Sequence, residues 1–255
     1  MFASLTQRSF QIKFLSHAEA ILGVDFPEAV SELDDALAGL TIPISEIIKS
    51  GGGESKGTQR LRHRLNALGW RKLHFTIEKT INGRPRESIS HEVDHVRTDE
   101  MGDLALEIEW NNKDPFFDRD LENFKRLHAE GAISVGVIVT RGASLQNDMV
   151  ALVRRFAEQM QFATNDDLIA LGLNPTPRQR HDVERRMRSG VSFAEAWSFS
   201  FVQDKYGAAT THWRKLEDRV HRGVGNPCPL LLVGLPASIV TFDEDFEAGA
   251  DQIED

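Results

Sequence analysis

Residues 104–110 read Leu-Ala-Leu-Glu-Ile-Glu-Trp, and this alternation constrains the fold more than any other stretch of the chain. Side chains of a strand point alternately to its two faces. Leu104, Leu106, Ile108 and Trp110 therefore share one face, and Ala105, Glu107 and Glu109 the other. Two readings of the acidic face stand side by side. On an edge strand, alternating acids face water and keep sheets from pairing. In a cleft they repel: carboxylates roughly 5 Å apart cost about 1 kcal/mol in water and about 3 kcal/mol at an effective dielectric near 20. There, either a carboxyl keeps its proton or a cation joins the pair.

The neighbouring segments supply the rest of a sheet. "KLHFTIEKT", the turn signal "NGRP" and "RESISHEVDHVRT" predict a hairpin. After the acidic strand, Asp114 is expected as an N-cap with Pro115 at the first helical position, followed by an apolar stripe of Phe117, Leu121 and Phe124. That stripe has two possible destinations, the chain's own sheet or a partner subunit. "AISVGVIVT" (132–140) is apolar throughout, as a buried central strand requires. Helices are predicted at "FPEAVSELDDALAGL", within "GGGESKGTQRLRHRLNALGW" after the Gly51–Gly53 break, where Leu61, Leu65 and Leu68 mark it, and at "LQNDMVALVRRFAEQM", and a late strand at "PLLLVGLP". The order gives an α/β fold, a mixed central sheet with helices on both faces.

One domain is expected over residues 1–242, with a sheet-forming core at about 70–142 and helical elements before and after it. Residues 243–255 form an acidic tail, expected to be flexible. The tail holds seven acids and no bases, so only −2 of the net charge of −9 falls on residues 1–242. Net charge therefore does not exclude a nucleic-acid partner, which needs only a local basic surface. Arg60–Arg64, Arg178–Arg188 and Arg214–Arg222 are the basic clusters. The single cysteine, Cys228, permits neither an intramolecular disulfide nor a Cys-rich zinc site. No membrane span or signal peptide is read, and a cytoplasmic location is expected.

Other acids gather around the strand. Asp94 lies in the preceding strand and Glu78 in the one before, so both are expected to converge with Glu107 on one rim. Hard oxygen donors with few histidines suit Mg²⁺. His91 and His95 are expected on the face opposite Asp94. Asn111, Asn112 and Lys113 follow the carboxylates as donors near a helix N-terminus, a place suited to anions. Their plainer reading is a polar strand-to-helix turn. A glycosidase pair is disfavoured, because such carboxylates flank the sugar from opposite sides. Metal-binding acids beside anion-binding donors point to phosphoryl chemistry.

"VDHVR", "ALEIEW", an immediate polar turn, a helix and "AISVGVIVT" together resemble the type II restriction endonucleases of the BglII/BstYI type, with BamHI a more distant relation, in the PD-(D/E)xK nuclease fold. The similarity is clearest from Leu73 to Arg141. It implies a restriction-endonuclease-like core, catalytic at about 70–142 with DNA-contacting helical elements before and after it, and a sequence-specific, Mg²⁺-dependent endonuclease acting on double-stranded DNA, leaving 5′-phosphate and 3′-hydroxyl ends. By the same resemblance, Asp94 and Glu107 are the metal ligands, Glu109 stands where the wider fold has lysine, and Glu78 lies near the metal. Asp99 or Asp103 could replace Asp94. The Asn111–Lys113 turn corresponds to a DNA-contacting segment. A homodimer on a palindromic site, paired with a cognate DNA methyltransferase, is also implied. The alternative is a catalytically inactive DNA-binding protein of the same fold.

Overall fold

The computed structural model describes residues 1–49 and 54–242. In chain order the elements are α1 (Ala3–Gln7), β1 (Gln11–Leu15), α2 (Ala18–Asp25), α3 (Pro27–Ala38), β2 (Ile42–Pro43), α4 (Ile44–Lys49), α5 (Lys56–Ala67), β3 (Arg71–Ile81), β4 (Arg84–Asp99) and β5 (Gly102–Glu109). There follow α6 (Phe116–Ala129), β6 (Val135–Arg141), α7 (Ala143–Gln159), α8 (Asn165–Ala170), α9 (Pro177–Met187), α10 (Phe193–Lys205), α11 (Trp213–His221), β7 (Leu230–Leu235) and β8 (Val240–Thr241). The acidic tail and the Gly51–Gly53 break lie outside the described residues.

Two compact units divide the chain. The first comprises residues 1–40, 54–146 and 210–238, and the second residues 41–53, 147–209 and 239–255. The first unit is built on a six-stranded mixed sheet of order β1-β7-β6-β5-β4-β3. β5, β6 and β7 run parallel, and the remaining neighbours are antiparallel. The β3–β4 hairpin turns at Asn82 and Gly83, both at positive φ, the conformation that Asn-Gly adopts at least cost.

The register sorts the faces. Ala105, Glu107 and Glu109 of β5 align with Gly136, Ile138 and Thr140 of β6, and these with Leu230, Leu232 and Gly234 of β7. α6 covers this face. Phe117, Leu121 and Phe124 are fully buried in one cluster with Ala105, Ile138, Leu232 and the α11 residues Trp213 and Leu216. The aromatic stripe is thus used within the chain, each ring contributing about 2–3 kcal/mol by leaving water. Gly136 lets α6 lie this close, since a Cβ there would overlap the Phe124 ring. Leu104 and Leu106 face the other way, toward the layer that includes α3 and α5. There Glu32 of α3 takes both the Arg97 guanidinium at 2.9 Å and the Trp70 indole N–H at 2.9 Å.

One expectation about local structure is corrected. α6 begins at Phe116 with Pro115 in the cap position, and Asp114 does not cap it. Asp114 instead meets Lys215 at 3.2 Å and Arg219 at 3.3 Å, both on α11. A cap hydrogen bond is worth about 1 kcal/mol, and two cations together outbid it.

The second unit contains α8, α9, α10 and most of α7, with the short β2–β8 parallel pair. Its interior carries a chain of aromatic contacts: Phe156–Phe162, Phe162–Trp197, Trp197–Phe201 and Phe201–Tyr206. The Tyr206 hydroxyl donates to the Ile47 carbonyl at 2.8 Å.

Candidate active site

β5 is an interior strand, between β4 and β6, so the edge-strand reading of its acids does not hold. Glu107 and Glu109 are buried at 7 % and 2 % exposure, beneath the N-terminal half of α6. α6 adds a third acid: Asp120, 1 % exposed, on the same helix face as Phe117, Leu121 and Phe124. Burial pushes the Glu107 carboxyl up to about 9, with the charges of Asp120, Asp94 and Glu109 adding to it and the Asp94 backbone N–H opposing it. Burial also pushes Glu109 up to about 8, reinforced by Asp120 and opposed by Asn112 and Arg119. Asp120 is raised as well, again chiefly by burial.

The hydrogen bonds give each oxygen a place. Asn112 Nδ2 donates to Glu109 Oε2 at 2.8 Å. Arg119 Nε donates to Asp120 Oδ1 at 2.8 Å, and its Nη2 lies 3.6 Å from Glu109 Oε1. The guanidinium also stacks on Phe116, 4.4 Å from the ring centroid. With both acids ionised, Asp120 Oδ2 is buried without a donor; a proton held between the Glu109 and Asp120 carboxyls satisfies it.

Asp94 enters from β4. The paired register of β4 and β5 begins at His95↔Leu106, one residue from each acid, and the Asp94 backbone N–H donates to the Glu107 carboxyl. Asp94 itself is half-exposed and 3.4 Å from Lys72 Nζ. A register shift between β3 and β4 falls here: Arg71 pairs with Val96 but Leu73 with Val93. The extra residue in β4 reverses its alternation, so residues on either side of the shift swap faces. His91, opposite Phe75, therefore lies on the α6 side, where burial and then Arg126 lower its pKa. His95 lies on the other side and is buried. The expectation that both histidines share one face, opposite Asp94, thus fails, because the bulge puts them on different faces.

Glu78 does not join the cluster. It is exposed, pairs with Ser88, and alternates with Phe75 and Ile77, which face the core. Asp99 and Asp103 sit at the β4–β5 turn, where Asp99 Oδ1 accepts from the Met101 N–H at 3.2 Å. Four residues of strand, roughly 13 Å, separate Asp103 from Glu107.

The turn after β5 is held from outside. The buried Arg141 donates to the Trp110 carbonyl at 2.9 Å, to Thr210 Oγ1 at 2.6 Å and to the Thr211 carbonyl at 2.8 Å. Asn112 and Thr211 exchange hydrogen bonds, and Lys113 pairs with Thr210. Asn112 and Lys113 are exposed and Asn111 half-buried. Of the basic clusters in this unit, Arg62 pairs with Glu54 at 2.9 Å, while the buried Arg219 pairs with Asp114 and Asp118.

Sequence reasoning missed Asp120 and Arg119. The signal was present: Phe117, Asp120, Leu121 and Phe124 follow the i, i+3, i+4, i+7 spacing of one helix face, and an aspartate inside an apolar stripe must be paired or functional.

The acids fit a hard divalent cation held by two carboxylates with water and phosphate completing its shell, which is how Mg²⁺ is commonly bound. Among the described residues, no three His, Cys, Asp or Glu side chains form an all-protein cage.

A mixed sheet flanked by helices, with paired acids on an interior strand beside a helix N-terminal half, defines a restriction-endonuclease-like core. The chain belongs to the family described as restriction endonuclease BglII/BglIII, whose model matches residues 10–235. Comparison with curated proteins gave no match. Membership makes the protein a sequence-specific DNA endonuclease with DNA as its substrate. No helix among the described residues is long and apolar enough to cross a membrane.

Proposed function

We propose that the protein is a type II restriction enzyme that hydrolyses both strands of a palindromic DNA site in a Mg²⁺-dependent reaction, leaving 5′-phosphate and 3′-hydroxyl ends. The observation that carries this reading is the burial of Glu107, Glu109 and Asp120 together, with Arg119 as their adjoining cation. Such a concentration of negative charge is costly unless a cation or proton is part of its working state.

Asp94 and Glu107 would hold the ion. Bound there, Mg²⁺ would polarise the scissile phosphate and lower the pKa of a water. Glu109 is fixed by Asn112 through Oε2; once a bound cation displaces its proton, Oε1 would accept the proton of the attacking water. Asp120 shares that proton and keeps Arg119 beside it. The guanidinium supplies the positive charge that a lysine at position 109 would otherwise bring. The exposed Asn112 and Lys113, on a turn fixed by Arg141, are suited to DNA contact. A homodimer would match a two-fold symmetric site, and a cognate methyltransferase would protect host DNA.

The test is incubation of the full chain with plasmid and genomic DNA, with and without Mg²⁺, beside Glu107→Ala. Discrete fragments that require the metal and disappear in the variant are expected. Their ends, sequenced, give the site and the end chemistry. Mg²⁺-independent binding without cleavage, on both methylated and unmethylated DNA, would overturn the catalytic assignment.

A further inference from the structure

The second unit holds a cavity of about 370 Å³ between α8, α9 and α10. This is within the size range of small-molecule sites. Its body is apolar: Trp197 and Phe201 from α10, Val183 from α9 and Leu168 from α8. The two aromatic rings lie 5.3 Å apart by centroid. One edge is polar, formed by Asn174, Gln179, Asp204 and Lys205. Gln179 accepts from the Thr176 N–H at 2.8 Å through Oε1 and donates to Asp204 Oδ2 at 2.7 Å through Nε2, which holds an amide NH₂ and a carboxylate side by side as donor and acceptor. Lys205 Nζ lies 5.3 Å from the Phe201 centroid and 5.8 Å from that of Tyr206.

Each part selects a ligand property. A wide apolar and aromatic wall favours a flat ring over a sugar or a bare ion. An adjoining edge of amide and carboxylate groups favours a ring with its own donors and acceptors. A lysine at that rim favours an attached anion. The basic character of residues 178–188 agrees with this last point: they hold five arginines against Asp182 and Glu184, and Arg178 and Arg188 are exposed. A nucleotide meets all three requirements.

We propose that this cavity binds a nucleotide, with its base against Trp197 and Phe201, the base edge on Asn174, Gln179 and Asp204, and the phosphate at Lys205. Burial lowers the Lys205 pKa to about 8, so an arriving phosphate would return stabilisation that the ammonium has lost. The site goes beyond strand cleavage and stands in a unit separate from the carboxylate cluster. Its ligand has two possible sources: a free mononucleotide, or a nucleotide turned out of a DNA duplex.

The experiment uses the full chain. Saturation-transfer NMR with deoxynucleoside monophosphates, their nucleosides and benzoate measures small-ligand binding. Duplexes carrying 2-aminopurine report base extrusion by their fluorescence. At least one monophosphate is expected to bind about tenfold more tightly than its nucleoside, and Lys205→Met should erase that difference. Asn174→Ala, at an exposed position, should weaken binding of the base itself without affecting the fold. Fluorescence that rises on binding and falls back in Phe201→Ala assigns the source to DNA. Monophosphate binding without a fluorescence rise assigns it to free nucleotide. The proposal is overturned if neither signal is seen, if benzoate binds as tightly as the monophosphates, or if Lys205→Met and Asn174→Ala both bind like the unaltered protein.

Discussion

The Arg119 guanidinium donates to Asp120 Oδ1 at 2.8 Å and lies 3.6 Å from Glu109 Oε1, so adjacent residues of one helix turn bring a cation to a carboxylate on the strand below. Asp120 is the anchor, because Arg119 itself is half-exposed and its other near contact beside Glu109 is the Phe116 ring. Asp120→Asn should keep the shape of the side chain but weaken this hold. Plasmid cleavage is expected to fall by about 10- to 100-fold, the scale of a small misplacement at a reacting centre. Initial rates under saturating Mg²⁺ measure it, and an unchanged rate would remove Arg119 and Asp120 from the mechanism.

Glu107→Gln separates catalysis from stability. Glu107 is buried among Asp120, Asp94 and Glu109, and its carboxyl is pushed up to about 9. The amide removes the cost of keeping a proton that the unfolded chain has released at pH 8. Cleavage should be abolished, while the metal-free variant at pH 8 should gain about 2–4 kcal/mol in urea unfolding. Loss of both activity and stability would show that Glu107 is a structural carboxylate.

The pH dependence follows from the same carboxyls. In the folded protein, Glu107 and Glu109 keep protons to about 9 and about 8, whereas the unfolded chain releases them near 4.5. The folded state thus binds more protons across this window, and metal-free stability falls as pH rises from about 4.5 to about 9. A cation competes with those protons, so stabilisation by Mg²⁺ should be larger at pH 8.5 than at pH 6. Thermal melts with Mg²⁺ and with EDTA at both values check the sign. Equal stabilisation at both would place the ion away from these acids.

Gly136 tests the packing that holds α6 over the strand. An added methyl would overlap the Phe124 ring and push the helix outward. Gly136→Ala should cost about 1–3 kcal/mol. Because displacement of α6 carries Asp120 with it, activity should fall at temperatures where the variant is still folded. Circular dichroism and cleavage rates on the same preparation separate the two effects.

Arg141 ties the Trp110 carbonyl to Thr210 and Thr211. Arg141→Leu leaves buried carbonyls without donors, at a cost of about 2–4 kcal/mol. DNA binding should weaken more than folding suffers, since the turn bearing Asn112 and Lys113 loses its outer support. Filter binding in Ca²⁺ beside a urea titration compares them.

The sheet was legible in the sequence because its signals are local. Period-two alternation at residues 104–110, unbroken apolarity at 132–140 and an Asn-Gly turn each specify a strand or hairpin from within a few residues. What the sequence alone could not decide is everything that depends on a third partner. Whether β5 lay at an edge or inside the sheet was set by β6 and β7, which sit beyond it. The bulge in β4 brought His91 to the α6 side, and a single inserted residue leaves no mark in local composition. Asp114 left its expected cap for cations on α11, about a hundred residues along the chain. Asp120 became part of the acid cluster only when the Phe117–Phe124 face docked on the sheet and carried it down beside Glu109. Propensity and alternation are properties of neighbours along a chain; burial, charge pairing and the placing of a proton belong to neighbours in space.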